Sequence, residues 1–550
     1  MKSKKNIKYW PHILLVVFLT ICSCSNFLET PPKDSYAESN FYVNAATAEL
    51  AVNSCYNVLI DDYVKASWNG QGSDLEEGKT TFNTFIETKI FQEGYQGIHD
   101  CNVVLKFVPD IDFEGDDAKK KNILAQARTL RAFYYYTISV LIGPVPLITT
   151  DLNYSEYAKM ERPTDVSEIR NFMTSELVAA IPDLYSKPDA EKGRVTKDFA
   201  RYVAAQVYML DHNWTEAEKL LKDIIDSQNY SLLPDYGNIC SYDTKGAVCD
   251  AWEYNDESLF EIGLIEGDPT YSEMRTDCYD PLNCSGNDYR ALERKMDFDY
   301  YQNVFLIKKE VISRTLTQDS LWIDREYGDK KTGSAGQTVN INIFREDPRR
   351  VHTVIAFGDK MICMIQPGVY VDYDRTWYAD GAVNYLKRKY WPTSSVAYAA
   401  RRGMNYIVAR YAQVLLDYAE VQYRLGNDAL AYAYMNQVRE RAWAGHPRVE
   451  WERTEADVLN PESFWNQQVY AALSAKGYDK TFIDLIHEYF LEFALEGKTG
   501  LAMMRWGNRA DIIAAFNVTP SSIRPEQIWY AYPQEEIDKN PTIWQNPGFD

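Results

Sequence analysis

The sequence predicts a mainly α fold: a scaffold of stacked helical hairpins interrupted by a large, loop-rich irregular region. Three observations predict it. Apolar residues recur at helical spacing over 44–60, 98–107, 121–141, 167–181, 197–210 and 214–226, and again over 407–425 and 427–443. Ala, Glu, Gln, Lys and Leu, which all favour helices, dominate the positions between them. From about 240 to 400 that texture gives way to Gly, Asp, Asn and aromatic residues, with turn signals such as Pro281-Leu-Asn and Gly333-Ser-Ala-Gly336. At 550 residues, 46% hydrophobic and 25% charged, the chain is globular in composition and long enough to bury a sizeable core.

The elements follow in chain order. Lys2, Lys4, Lys5 and Lys8 form a basic leader, and Ile13 to Ile21 form an apolar run too short to span a bilayer. Residues 1–23 are therefore expected to be a bacterial export signal. Ser23 before Cys24, with an aliphatic residue three positions before that cysteine, makes Cys24 the expected lipidation site; bulky Ile21 makes Cys22 the weaker candidate. Residues 24–43 read as a tether and 44–550 as a single domain, with its helical scaffold over 44–235 and 405–515. From Ala204 to Ile225 the pattern resembles a tetratricopeptide hairpin, with small Ala204 and Ala205, Tyr208, then Trp214 opening a second helix carrying Ala217 and Leu221. Such pairs stack and bury one another's apolar faces. The segment 525–550 is expected to be extended and to wrap the surface.

Charge narrows the function. Lys and Arg number 58 against 79 Asp and Glu, a net −21; without the leader's four lysines, 54 against 79 leaves −25. Nucleic acid is disfavoured as a partner, and neutral or cationic cargo is favoured over polyanions. The 41 tyrosines exceed what cores usually need and suit half-wet contact surfaces. Cys55 and Cys101 fall in helical segments and read as small core hydrophobes; with no C-x-x-C spacing, metal or redox roles are not expected.

Catalytic and cofactor motifs fail on inspection. Gly78-Lys79-Thr80 and Gly497-Lys498-Thr499 have Ser73 and Glu492 where a phosphate loop needs its first Gly. Gly70-x-Gly72 has Leu75 in place of the third Gly of a dinucleotide fingerprint. His487-Glu488 has Leu491 where a zinc hydrolase needs its second His. Asp110-x-Asp112-x-Glu114-Gly115 begins like a calcium loop, but Lys121 stands where the closing carboxylate belongs. No cofactor and no metal are expected.

Several segments together resemble the SusD/RagB family of outer-membrane nutrient-binding lipoproteins of Bacteroidetes. They are Phe27-Leu-Glu-Thr-Pro31, Tyr95-Gln-Gly-Ile-His-Asp-Cys-Asn102, Ala127-Arg-Thr-Leu-Arg-Ala-Phe-Tyr-Tyr-Tyr136, Gly143-Pro-Val-Pro-Leu-Ile148, Gly193-Arg-Val-Thr196, Asp347-Pro-Arg-Arg350, Arg410 through Glu420, Asn436-Gln-Val-Arg439 and Gln545-Asn-Pro-Gly548. The sequence departs from the family at Glu496-Gly-Lys-Thr-Gly-Leu-Ala502, where Thr499 and Ala502 replace an Arg and an Asp together. Arg128, Arg131, Arg410 and Arg439 lie on otherwise apolar helices and are expected to tie helices together rather than to bind ligand.

The resemblance implies a tetratricopeptide-like scaffold that binds a nutrient, usually a glycan, without catalysis, as the lid of a SusC-like TonB-dependent transporter in the outer membrane. Ligand would be held by rings stacked on sugar C–H faces and by polar neighbours. The family's ligand surface corresponds here to the loop after the first helix, with Asp61, Tyr63, Trp68, Asn69 and Asp74, and to the irregular middle region, with Tyr271, Tyr289, Trp322, Tyr327, Trp377 and Tyr378. Trp68-Asn69 is the first choice. Trp214, Trp443 and Trp506 lie in helical contexts and are expected in the core. Peptide or another polymer is the alternative cargo, and a lipid-anchored glycosidase is the remote alternative.

Overall fold

The structure is a computed structural model. It describes residues 41–60, 84–239 (except 151, 153–155 and 157–158), 253–265, 295–296, 304–323, 330–355, 360–366, 369–374, 385–387, 405–444, 467–516 (except 495 and 508) and 528–549. Among the described residues the first half contributes six α-helices: α1 (Ala45–Ile60), α2 (Thr84–Phe107), α3 (Asp117–Ile142), α4 (Ser167–Ala180), α5 (Lys197–Leu210) and α6 (Trp214–Asp226). Side chains fix several starts: Asp116 caps Lys119 N–H at 3.0 Å, Thr196 caps Phe199 N–H at 3.3 Å, and Asn213 caps Glu216 N–H at 3.4 Å. In the α5–α6 hairpin Ala204, Ala205, Ala217 and Leu221 are all fully buried, so the two helices meet across small residues.

The middle region is built from short antiparallel strands. They are β1 (Ser258–Ile262), β2 (Lys295–Met296), β3 (Leu306–Thr315), β4 (Ser320–Ile323), β5 (Lys330–Gly333), β6 (Thr338–Glu346), β7 (Val354–Ile355), β8 (Lys360–Gln366), β9 (Val369–Asp374), β10 (Tyr385–Lys387) and β11 (Tyr406–Arg410), with a helical turn α7 (Arg350–Thr353) before β7. β3 pairs with β6, and β4 with β5 between them in the chain, so these four strands form a two-stranded ribbon. The backbone bond from Leu316 N to Gln337 O, 2.9 Å, carries the outer pairing one step past Thr315–Thr338. This stretch, expected to be loop-rich, is a hairpin whose residues 311–315 are all exposed.

The second half adds α8 (Tyr411–Arg424), α9 (Asp428–Ala442), α10 (Gln467–Ala475), α11 (Lys480–Phe493), α12 (Lys498–Trp506), α13 (Arg509–Phe516) and α14 (Gln534–Lys539). Residues 407–410, assigned to a helix by periodicity, instead form β11, which pairs with β1 from Ser258↔Arg410 to Ile262↔Tyr406. The β-branched Ile407 and Val408 suit that strand, and all five of its residues are buried. No described helix is long and apolar enough to cross a membrane.

Buried ions bind the second half to the middle region. Arg410 gives its Nε and Nη2 to Glu496 at 3.0 and 2.8 Å, and its Nη1 to Glu257 at 2.7 Å and Glu492 at 2.6 Å. Arg349 holds Asp347, Glu488 and Glu492, while Arg441 bridges Glu257 and Glu492. Burial alone would raise the Glu492 carboxyl, but Arg441, Arg410 and Arg349 outweigh it and hold it at about 2. At the departure from the family pattern, Lys498 joins Glu496 at 2.8 Å and the Thr499 hydroxyl donates to Tyr489 O at 3.1 Å.

The remaining arginines also join elements. Arg128 and Arg131 both meet Glu176 of α4, Arg131 additionally bonds Asn102 of α2 at 2.7 Å, and Arg439 meets Glu488 at 2.7 Å. Cys55 and Cys101 are fully buried, as are Trp443 and Trp506 to within a few per cent, whereas Trp214 is half-buried. The calcium-like turn is tied internally: Asp112 accepts from Glu114 N–H at 2.8 Å, and Lys120 Nζ donates to Pro109 O and Ile111 O.

Candidate functional site

A cavity of about 310 Å³ opens between the C-terminal half of α1, the turn 191–194 that leads into α5, and β1. Asn53, Tyr56, Asn57 and Ile60 line it from α1, Glu191 to Arg194 from the turn, and Phe260 to Gly263 from β1. Its place in the chain matters as much as its shape. Ile60 is the last described residue before 61–83, which contains Trp68, Asn69 and Asp74, and Ile265 is the last before 266–294, which contains Tyr271 and Tyr289. Two of the stretches that carry nominated residues, 61–83 and 266–294, therefore follow in the chain within a few residues of this lining.

Tyr56 is fixed at both ends. Its hydroxyl donates to Gln126 Oε1 at 2.7 Å and accepts from Val195 N–H at 3.2 Å, while the Arg194 guanidinium lies 5.2 Å from the ring centre. Burial, above all, pushes its phenol well above the ordinary value. Tyr254 lies behind the lining, its hydroxyl against Gly193 and Gly263. Its φ of +49° is unusual for a side chain of its size, and its hydroxyl fits because Gly263 leaves room: a Cβ there would stand 2.6 Å from that oxygen. Lys192 Nζ lies 5.4 Å from the Tyr254 ring centre. Beneath them Glu261 accepts from Tyr254 N–H at 2.8 Å and Asn405 Nδ2 at 3.0 Å, and burial raises its carboxyl. The cavity is thus lined by two aromatic rings, Tyr56 and Phe260, two cations, two amides and two acids, Glu191 and Glu261.

A smaller cavity, about 200 Å³, lies between α2 and the strand-like stretch after α3, lined by Tyr95, His99, Asn102 and Thr150 among others. Asn102 there donates to Ile148 O and Thr150 O at 3.3 and 3.1 Å, which is a structural duty.

Of the residues nominated from sequence, Trp68, Asn69, Asp74, Tyr271, Tyr289, Tyr327, Trp377, Tyr378 and Cys24 lie outside the described residues, as do Asp61 and Tyr63. Trp322 is placed in β4, opposite Lys331 of β5. Tyr56, Lys192, Arg194 and Tyr254 were not nominated. Arg194 did appear within Gly193-Arg-Val-Thr196, and the positive φ of Gly193, +82°, is what turns the chain so that its neighbours line the cavity. Among the described residues no cluster of three or more His, Cys, Asp or Glu could hold a metal ion.

With the geometry in place, comparison with known proteins gives the lineage. The family model described as "Starch-binding associating with outer membrane" matches residues 25–209, and the one described as "SusD family" matches residues 204–549. SusD-like protein P25 of Formosa agariphila is 23% identical over 97% of this chain and 98% of its own. A SusD superfamily protein from Bacteroides vulgatus superposes with a TM-score of 0.63 at 18% identity, covering 92% of this chain and 99% of its own. Surface glycan-binding protein A from Bacteroides thetaiotaomicron gives 0.56 at 20% identity, covering 92% of this chain and 100% of its own. The hairpin frame, the arginine-tied helices and the match across 204–549 together place the chain in the SusD family.

Proposed function

We propose that this protein is a cell-surface receptor for glycans, anchored in the outer membrane through Cys24, that captures an oligosaccharide and presents it as the lid of a SusC-like TonB-dependent transporter. The cavity whose lining closely precedes 61–83 and 266–294 in the chain carries this reading. Tyr and Trp faces suit the C–H faces of sugar rings, and amide and guanidinium donors suit their hydroxyls. The family description as starch-binding, and a structural neighbour described as a surface glycan-binding protein, support the same ligand class. No reaction is part of the role: the buried carboxylates Glu257, Glu488, Glu492 and Glu496 are already matched to arginines and are poorly placed for acid–base work.

The test is affinity electrophoresis of the mature protein against a panel of polysaccharides, with Trp68→Ala alongside. At least one glycan should retard the protein, and the variant should lose about tenfold or more in affinity, the scale of one aromatic hot spot. Retention of full affinity by the variant would remove Trp68 from the site, and silence on every glycan with binding of peptide would replace the ligand class.

A further inference from the structure

We infer that the cavity between α1, the 191–194 turn and β1 reads an anionic substituent on the sugar, a carboxylate or a sulfate ester, through Arg194 and Lys192. The inference deepens the glycan-receptor reading and rests on it. It also runs against the protein as a whole, whose −25 balance outside the leader favours neutral or cationic cargo.

Arg194 has five N–H groups, and among the described residues its partners are Glu191, 3.5 Å from Nε, and the Tyr56 hydroxyl beside it, which leaves donors to spare. The side chain is 19% exposed, so the guanidinium is largely held against protein and reached by water on one side only. Its position is not loose, because the guanidinium is laid against Tyr56, whose hydroxyl is pinned at both ends. A held, half-dry guanidinium that lines a cavity with donors beyond those its neighbours use is an arrangement that takes a carboxylate or sulfate.

Lys192 supplies a second charge. Its ammonium is exposed and its contact among the described residues is the Tyr254 ring, with no acid paired to it. The amides of Asn53 and Asn57 line the same space and would meet neighbouring hydroxyls. Two acids oppose this. Glu191 is 75% exposed, so its charge is largely screened by solvent, and it can swing away from Arg194. Glu261 is occupied by Tyr254 N–H and Asn405, and its burial favours the neutral form. The distant negative charge of the chain is damped beyond a Debye length of about 8 Å, so the nearby cations decide local preference.

The experiment compares matched pairs that differ only in the anionic group: polygalacturonate against its carboxyl-reduced form, and a sulfated galactan against its desulfated form. Binding to the detergent-solubilised mature protein is measured by calorimetry. In at least one pair the anionic member should bind about tenfold tighter, the scale of a charge-assisted bond, and the pair that shows it identifies carboxylate or sulfate. Arg194→Gln should erase that preference, exposed Lys192→Gln should reduce it about threefold without disturbing the fold, and Glu191→Gln should enlarge it. Equal affinity within both pairs overturns the anion reading and leaves the glycan receptor standing. No binding of any member, together with silence on neutral glycans, overturns both.

Discussion

In the helical frame Arg349, Arg410 and Arg441 lie almost wholly out of water, and each guanidinium meets two or three carboxylates. In the β3–β6 ribbon residues 311–315 are all exposed, and polar side chains bond across the two strands, Ser313 to Asn340 at 2.6 Å and Thr315 to Thr338 at 3.0 Å. The contrast teaches where stability resides. In the frame, removing one partner strands a buried charge that water cannot reach. In the ribbon, water replaces any lost bond at once.

The largest test of that contrast is Arg410→Met. It leaves Glu257, Glu492 and Glu496 short of a counter-ion in a dry interior, so chemical denaturation should show a loss of about 3–5 kcal/mol, or no folded protein at all. A loss under about 1 kcal/mol would mean that the frame tolerates imbalance as well as the ribbon does.

Glu87 sharpens the comparison from within the frame. It sits in the first turn of α2, 1% exposed, and neither carboxylate oxygen has a hydrogen-bond partner. Burial raises its carboxyl to about 7. The folded chain therefore keeps a proton that the unfolded chain releases, and stability falls as pH climbs from the ordinary carboxylate range to about 7, then stays low. Glu87→Gln abolishes that fall. The variant should gain roughly 2–3 kcal/mol in urea denaturation at alkaline pH and almost nothing near pH 4. An equal effect at both pH values would show that the carboxyl is solvated.

The smallest effect belongs to the ribbon. Thr315→Val removes the exposed hydroxyl pair with Thr338 while keeping a β-branched residue, so the melting midpoint should move by no more than about 0.5 kcal/mol equivalent. A shift of several kcal/mol would show that the ribbon is packed against something that makes it part of the core.

The same contrast explains what could be read from the sequence. α5 and α6 occupy the 197–210 and 214–226 that apolar periodicity predicts, because buried residues recur on one face and Thr196 and Asn213 cap the starts. α2 was read only from 98, although it begins at Thr84: Gly94 and Gly97 weaken the pattern, and Gly97 is there because a Cβ would stand 2.4 Å from the Tyr134 ring. The ribbon was missed for a different reason. A hairpin exposed around residues 311–315 need not alternate apolar with polar, so Lys308-Lys309-Glu310 gives no strand signal. The arginines were recognisable as ties, but not their partners, since Glu496 is 86 positions from Arg410 and Glu257 is 153. Likewise the cavity assembles three distant stretches, and nothing local in Asn53, Arg194 or Glu261 announces that they share one space.

The end of the chain has a further consequence. Asn546 Nδ2 bonds Ile142 O at 2.7 Å and Tyr530 O at 2.6 Å, Tyr530 N–H donates to Leu141 O at 2.8 Å, and Arg162 is laid between the Tyr532 and Trp544 rings while bonding Pro144 O. The last turn of α3, made early, is thus sealed by residues made about four hundred positions later. A chain still short of residue 528 therefore carries an α3 whose last carbonyls lack these partners.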